Sequence, residues 1–259
     1  ALGALMAEED WHVVLPTGHL VFDGFSVPFF VSAGLALLAL PLVLIGVGAR
    51  PARGEGSKGR SASAEGWQHL ARSLGPALGL VFVAQAALTS FEAVFALYAD
   101  SVLGFGLREI GAAFALCGLV MAVFQGGLVG MVSGRIAVGR QLVFGFGLLG
   151  TGLLLLPILT SIGPVLVAVG VLALGVAVVT PNLLTLAAGR SGSRVGAGLG
   201  MVNASGGLGQ VIGPLIGGLL FAGGAALPFW GAGVAAFAVS GLLAFTSSEA
   251  IGDSPRIRT

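Results

Sequence analysis

The sequence is poor in the residues that a water-soluble surface requires. Of its 259 residues only 9% are Asp, Glu, Lys or Arg, against roughly a quarter in a typical soluble domain. So little charge cannot cover a folded exterior of this size, which excludes a soluble globular protein. The single cysteine, Cys117, rules out an intrachain disulfide and a thiolate-bound metal cluster. Its apolar neighbours make it a small buried hydrophobe. The three histidines, His12, His19 and His69, all lie outside the long apolar tracts, which argues against a buried metal site. No glycine-rich loop followed by Lys-Ser or Lys-Thr occurs, so nothing signals direct ATP drive. No Ser-His-Asp arrangement stands out. The expectation is a protein that is not an enzyme, with no catalytic residues, no metal, no cofactor and no nucleic-acid partner.

What is abundant is apolar and small. Hydrophobic residues make up 56% of the chain, and 45 residues are glycine. The glycines sit inside Leu/Val/Ala/Phe tracts with no period of three, which excludes collagen and flexible linkers. In lipid, small residues let helices approach closely where no hydrophobic force drives them together. Seven stretches are long enough to span a bilayer, at about 26–49, 74–98, 109–132, 140–158, 162–187, 196–222 and 226–246. Pro157 marks the end of the fourth, and Pro181 lies near one end of the fifth. The fold class expected is an all-α membrane protein.

The basic residues orient these spans. Arg50, Arg53, Lys58, Arg60 and Arg72 lie between the first and second spans. Arg135 and Arg140 separate the third and fourth, Arg190 and Arg194 the fifth and sixth, and Arg256 and Arg258 follow the seventh. Only Arg108 falls on the opposite side, where the acids Glu8, Glu9, Asp10, Asp23, Asp100 and Glu109 gather. Strict alternation of spans satisfies every loop. The positive-inside rule then places residues 50–73 and the tail 247–259 in the cytoplasm and residues 8–25 outside, in a plasma (inner) membrane. Residues 50–73 are basic and Gly/Ser-rich and read as a linker, with Trp67 to Arg72 as a short interfacial helix.

An internal repeat suggests a larger architecture. VPFFVSAGLALLALPLVL at 27–44 resembles LPFWGAGVAAFAVSGLLA at 227–244, a shift of 200 residues. The opening ALGALMA resembles PLIGGLLF at 214–221, which precedes the second copy. Parallel six-helix repeats joined by a cytoplasmic linker are a transporter architecture. On this reading residues 1–49 are the remnant of a first bundle (the end of its fifth span, an outer loop and its sixth span). Residues 74–246 are then the second bundle, and most of an N-terminal half is missing.

Three segments carry a family likeness. GLGMVNASGGLGQVIGPLIGGLLF at 198–221 looks like an eleventh span, and FEAVFALYA at 91–99 like a seventh. GLVGMVSGRIAVGR at 127–140 looks like a loop motif whose usual form is G-x-x-x-D-R-x-G-R-R. Gly130, Arg135, Gly139 and Arg140 stand at plausible equivalents, Gly134 replaces the aspartate, and two extra residues intervene. On these grounds the sequence resembles the major facilitator superfamily, and within it the drug:proton antiporter branch related to tetracycline-efflux proteins. The resemblance implies a twelve-helix carrier in which two bundles rock about a central site. It implies protons, a small-molecule substrate and the lipid bilayer as partners, and proton-coupled efflux as the function. Of the efflux branch's own fifth-span motif only Gly3 has an equivalent, so antiport rests on overall likeness.

Candidate transport residues follow from polarity in the spans. Glu92 is the one ionisable side chain inside a predicted span. Because desolvating a carboxylate is costly, it faces a wet cavity, pairs, or carries a proton; it is a candidate for proton coupling or for a cationic substrate, the alternatives being packing against a neighbouring helix or snorkelling to the outer headgroups. Gln85 and Glu92 are seven apart with Thr89 between them, a polar stripe on one helix face. Gln125, Asn182, Asn203 and Gln210 either line a cavity or serve as interhelical glue, and Gln210 lies nearest mid-membrane. Phe91, Phe95 and Tyr98 meet an aromatic substrate, anchor at the bilayer edge or pack the helices. Gly196, Gly200, Gly209, Gly213 and Gly217 give small-x-x-x-small spacings, with Pro214 to bend a close-packed gate helix. Two alternatives stay open: a sugar or amino-acid transporter of the same superfamily, and a truncated, non-transporting interaction protein.

Overall fold

The computed structural model describes residues 11–15, 18–22, 64–125 and 136–252, together with residues 30, 32–34, 36–38, 40 and 41. Two short strands, β1 (Trp11–Leu15) and β2 (Gly18–Phe22), pair antiparallel in register from Trp11↔Phe22 to Leu15↔Gly18. This hairpin falls where the sequence suggested only an outer loop. Valines and aromatics on both sides of a two-residue gap favour it. Residues 30, 32–34, 36–38, 40 and 41, within the expected first span, are helical.

Six helices follow: α1 (Ala64–Ser101), α2 (Leu107–Val123), α3 (Val138–Leu155), α4 (Ile162–Arg190), α5 (Val195–Gly223) and α6 (Leu227–Gly252). Among the described residues five of these, all but α2, are long and apolar enough to cross a membrane. The protein is therefore an all-α, multi-spanning membrane protein. α2 has 17 residues and is described with its continuation to Gln125 only, so the rest of the expected third span (109–132) lies outside the described residues.

α1 differs from expectation at its start. Its 38 residues form one helix from Ala64, so Trp67–Arg72 belong to the spanning helix and not to a separate interfacial one. At about 1.5 Å per residue it reaches roughly 57 Å, nearly twice the hydrocarbon thickness, so its first turns stand outside the apolar layer. At the other end of the bundle the chain leaves α3 through a 3-10 turn, Leu156–Ile158, which contains Pro157.

Two helix layers share one core. α1 packs most extensively on α5, while α3 packs on both α4 and α6, and α2 rests on α4. The α3 seams are made by glycine. A Cβ on Gly145 would lie 3.1 Å from the carbonyl oxygen of Gly175, and one on Gly175 would lie 2.5 Å from the amide nitrogen of Leu149. A Cβ on Gly150 would meet the Gly233 carbonyl of α6 at 3.0 Å. Ser240 of α6 donates to the Val143 carbonyl of α3 at 2.8 Å. Phe91, Phe95, Phe146 and Phe229 are fully buried between these seams. Phe95 meets Phe114 of α2 edge-on at 5.7 Å, and Tyr98 meets Phe229 of α6 at 4.9 Å. The side chains of Phe91, Phe95 and Tyr98 thus pack against neighbouring helices.

Candidate functional site

The seam between α1 and α5 places the polar groups. Along α5, Ser205, Gly209, Gly213 and Gly217 recur every four residues and so share one face. Ser205 donates to the Leu78 carbonyl of α1 at 2.8 Å. A Cβ on Gly209 would lie 2.6 Å from the Phe82 carbonyl oxygen, and one on Gly213 would lie 2.5 Å from that of Ala86. A Cβ on Gly217 would press on Ser90, 2.5 Å from its hydroxyl. Backbone therefore meets backbone along three turns.

Gly196 and Gly200 are not part of this seam. Among the described residues a Cβ on either would meet nothing within 4 Å. At about 100° per residue, nine positions separate Gly200 from Gly209 by roughly 180°, so Gly200 lies on the opposite side of α5. The spacing was right but the register belonged to another face.

Gln85 and Thr89 lie on this crossing. The Thr89 hydroxyl bonds the Gln85 carbonyl of its own helix at 2.8 Å and lies 3.5 Å from the Gly209 carbonyl of α5. A Cβ on Gly209 would sit 3.1 Å from that of Gln85. Gln210 follows immediately and is exposed, and Pro214 one turn later has no N–H to give the Gln210 carbonyl. Gln210 thus offers a side-chain amide and a main-chain acceptor released from the helix ladder. Asn203, seven residues earlier on the same stripe, is exposed as well. Glu92 lies one turn beyond Thr89 on α1, with an exposed side chain.

α5 exposes a second, different stripe. Leu208, Val211, Leu215 and Leu219 are 61–76% exposed and purely apolar. One side of the helix suits lipid tails, and the stripe of Asn203, Gly207, Gln210 and Pro214 beside it does not.

The other candidates are placed elsewhere. Asn182 donates to the Gln141 side-chain carbonyl of α3 at 3.0 Å and to the Val178 carbonyl at 2.8 Å. Gln141 in turn donates to the Ile136 carbonyl at 2.8 Å. Asn182 is therefore interhelical glue at one end of α3 and α4, the other role its polarity allowed. Gln141 was overlooked because it adjoins Arg140 at the very start of a span. Ser205 was overlooked as a small hydroxyl, although its register with Gly209, Gly213 and Gly217 was legible. Gln125 is exposed at the end of the described part of α2. Gly139 and Arg140 open α3, while Gly130 and Arg135 lie outside the described residues.

A comparison with protein families matches residues 14–191, well over half of the chain, to the Major Facilitator Superfamily. The chain belongs to the Major Facilitator Superfamily. The match runs from the hairpin to the end of α4 and to Ser191, short of 198–221, the segment that looks like an eleventh span. No curated protein matches the chain. As a member of this superfamily the protein is a membrane carrier and not an enzyme. Among the described residues no group of three or more His, Cys, Asp or Glu side chains is disposed to hold a metal ion.

Proposed function

We propose that this Major Facilitator Superfamily chain belongs to a secondary active transporter that exports small amphipathic compounds in exchange for protons by alternating access. The observation that carries the proposal is the polar crossing of α1 and α5: Gln85 and Thr89 on one helix, Gln210 on the other, and Glu92 one turn away on an exposed surface. A lipid-facing surface has no use for an amide, a freed carbonyl and a carboxylate within two turns of one another. A cavity wall does. On this reading a second bundle covers the polar stripe, residues 1–49 belong to it, and 50–73 links the two. The bundle 74–246 supplies one wall, with the linker and the tail 247–259 cytoplasmic.

The chemistry follows from solvation. A carboxylate on that wall binds a proton when its cavity dries and releases it when water returns, because an unpaired charge in an apolar setting is far costlier than a neutral acid. Alternating exposure of Glu92 to the two sides thus moves protons against substrate. The α1–α5 glycine seam lets both helices turn as one body under that exchange.

The test is dye efflux driven by a pH gradient, with the full-length protein reconstituted in vesicles and compared with its Glu92→Gln variant. The expected result is gradient-dependent movement of cationic dyes that the variant loses by about tenfold or more, the scale for removal of a proton-transfer group. Unchanged coupled transport in Glu92→Gln would remove Glu92 from the mechanism. No transport of any dye by the intact protein would favour a metabolite substrate or a non-transporting role.

A further inference from the structure

At the end of the bundle where α4 turns into α5, a pocket of about 400 Å3 opens between that turn and the first turns of α1. Its polar lining is His69 and Ser73 from α1 and Arg190, Ser191, Ser193 and Arg194 from the turn. Gly192 has a left-handed φ of 54°, and the 3-10 turn Gly192–Arg194 follows it, so the chain reverses tightly enough to bring two arginines four residues apart onto one cavity. Its one apolar side chain among the described residues, Leu70, is buried. Ser191 is held in place by donating to the Ala187 carbonyl at 2.6 Å. Among the described residues no acidic side chain lines the pocket.

Basic residues at a span's end are ordinary, and taken singly they need no ligand. What this pocket adds is concavity and composition. Two arginines, a histidine and the hydroxyl residues Ser73 and Ser193 line one space from two separate segments, with no carboxylate among the described lining residues. Guanidinium forks match the oxygens of a phosphate, and hydroxyls complete its remaining acceptor sites. The level is also suitable, because these first turns of α1 stand beyond the apolar layer, at the depth of lipid headgroups. Trp67, half-exposed just before His69, is a residue type that favours that layer.

We infer that this pocket binds a phosphate group, carried either by an anionic phospholipid headgroup or by a soluble phosphate. Occupancy ties the start of α1 to the α4–α5 turn. The site is independent of the transport reading given above.

The experiment uses the full chain in nanodiscs of zwitterionic lipid. Phosphatidylglycerol is added in one arm and inorganic phosphate in another, with retained ligand read by native mass spectrometry. The variants are Arg190→Gln/Arg194→Gln, His69→Gln and, as an equally exposed arginine outside the pocket, Arg140→Gln. We expect retention of at least one phosphate-bearing ligand, weakened about tenfold or more in the double variant, as loss of two charge-assisted contacts implies. His69→Gln weakens it less, and Arg140→Gln leaves it unchanged. Retention of phosphatidylglycerol alone identifies the lipid as the source, and competition by inorganic phosphate identifies the soluble one. Equal retention in the Arg190/Arg194 and Arg140 variants, or binding of neither ligand, overturns the inference. Should the double variant fail to fold, His69→Gln and Arg190→Gln alone carry the same comparison.

Discussion

Gly213→Ala is the most informative single perturbation of this bundle. The added methyl would sit 2.5 Å from the Ala86 carbonyl oxygen and 3.0 Å from its Cα, and would press on the Thr89 hydroxyl. Ordinary contact for a Cβ begins at 3.4 Å, so α1 and α5 must part by roughly 0.9 Å at that level. A gap of that size forfeits about a quarter to a half of each van der Waals contact along the seam. The obstacle is backbone and cannot rotate away, so the overpacking cost is about 1–3 kcal/mol. Alanine also gains about 1 kcal/mol of helix propensity over glycine, which obscures the sign of any one measurement. Gly218→Ala removes that ambiguity. It makes the same change on the same helix, where a Cβ meets nothing within 4 Å among the described residues. Propensity cancels between the two variants, leaving a difference of about 1–3 kcal/mol in favour of Gly218→Ala. For a chain of this size that corresponds to several degrees, at about 2–4 °C per kcal/mol. The assay is thermal unfolding of the purified protein in detergent, followed by loss of the monodisperse peak. Coincident melting of the two variants would show that α1 and α5 do not meet through glycine.

Two further expectations follow from the hydrogen bonds and the exposed faces. A double-mutant cycle of Asn182→Ala and Gln141→Ala should give a coupling of about 0.6 kcal/mol, and no more than about 2 kcal/mol, in unfolding free energy; a coupling of zero would mean that the two amides do not pair. Cysteines introduced at Asn203 and Gln210 should react with a water-soluble maleimide about tenfold or more faster than cysteines at Leu208 and Leu219, because thiolate formation needs water. Native Cys117, only 5% exposed, is the unreactive internal reference, and equal rates at all four positions would refute two distinct faces on α5.

The legible part of this protein was the part governed by solvent. Apolar length and the lack of charge announced α1 and α3 through α6 with ends mostly within a few residues, and Pro157 did mark the close of a span. The start of α1 was misjudged because its first turns are polar. A helix that continues into the headgroup layer loses its hydrophobic signal before it loses its hydrogen bonds. The hairpin was hidden for a related reason, since ten residues with no partner in a helix-rich chain look like loop. Within the site, residue type was informative and register was not. Gly209, Gly213 and Gly217 meet α1, while Gly196 and Gly200, drawn in by the same spacing, lie on another face of α5. Asn182 could have faced a cavity or a neighbour, and only the position of Gln141 on the adjacent helix decides between them. Such choices depend on rotation about a helix axis, which composition does not encode when every face is apolar.

The glycine seams also bear on how this chain tolerates change. In a soluble protein the largest buried side chains are the most sensitive to substitution, and small surface residues are the most permissive. Here the order is reversed. Leu208, Leu215 and Leu219 touch only what surrounds the bundle, and other apolar residues would serve equally well there. Gly145, Gly175, Gly209 and Gly213 have no substitute, because each occupies a place where two main chains touch. Sequence drift in such a protein is free to rewrite most of its bulk while its smallest residues stay fixed, so relatives of this chain are better sought by the positions of their glycines than by the identity of their hydrophobic residues.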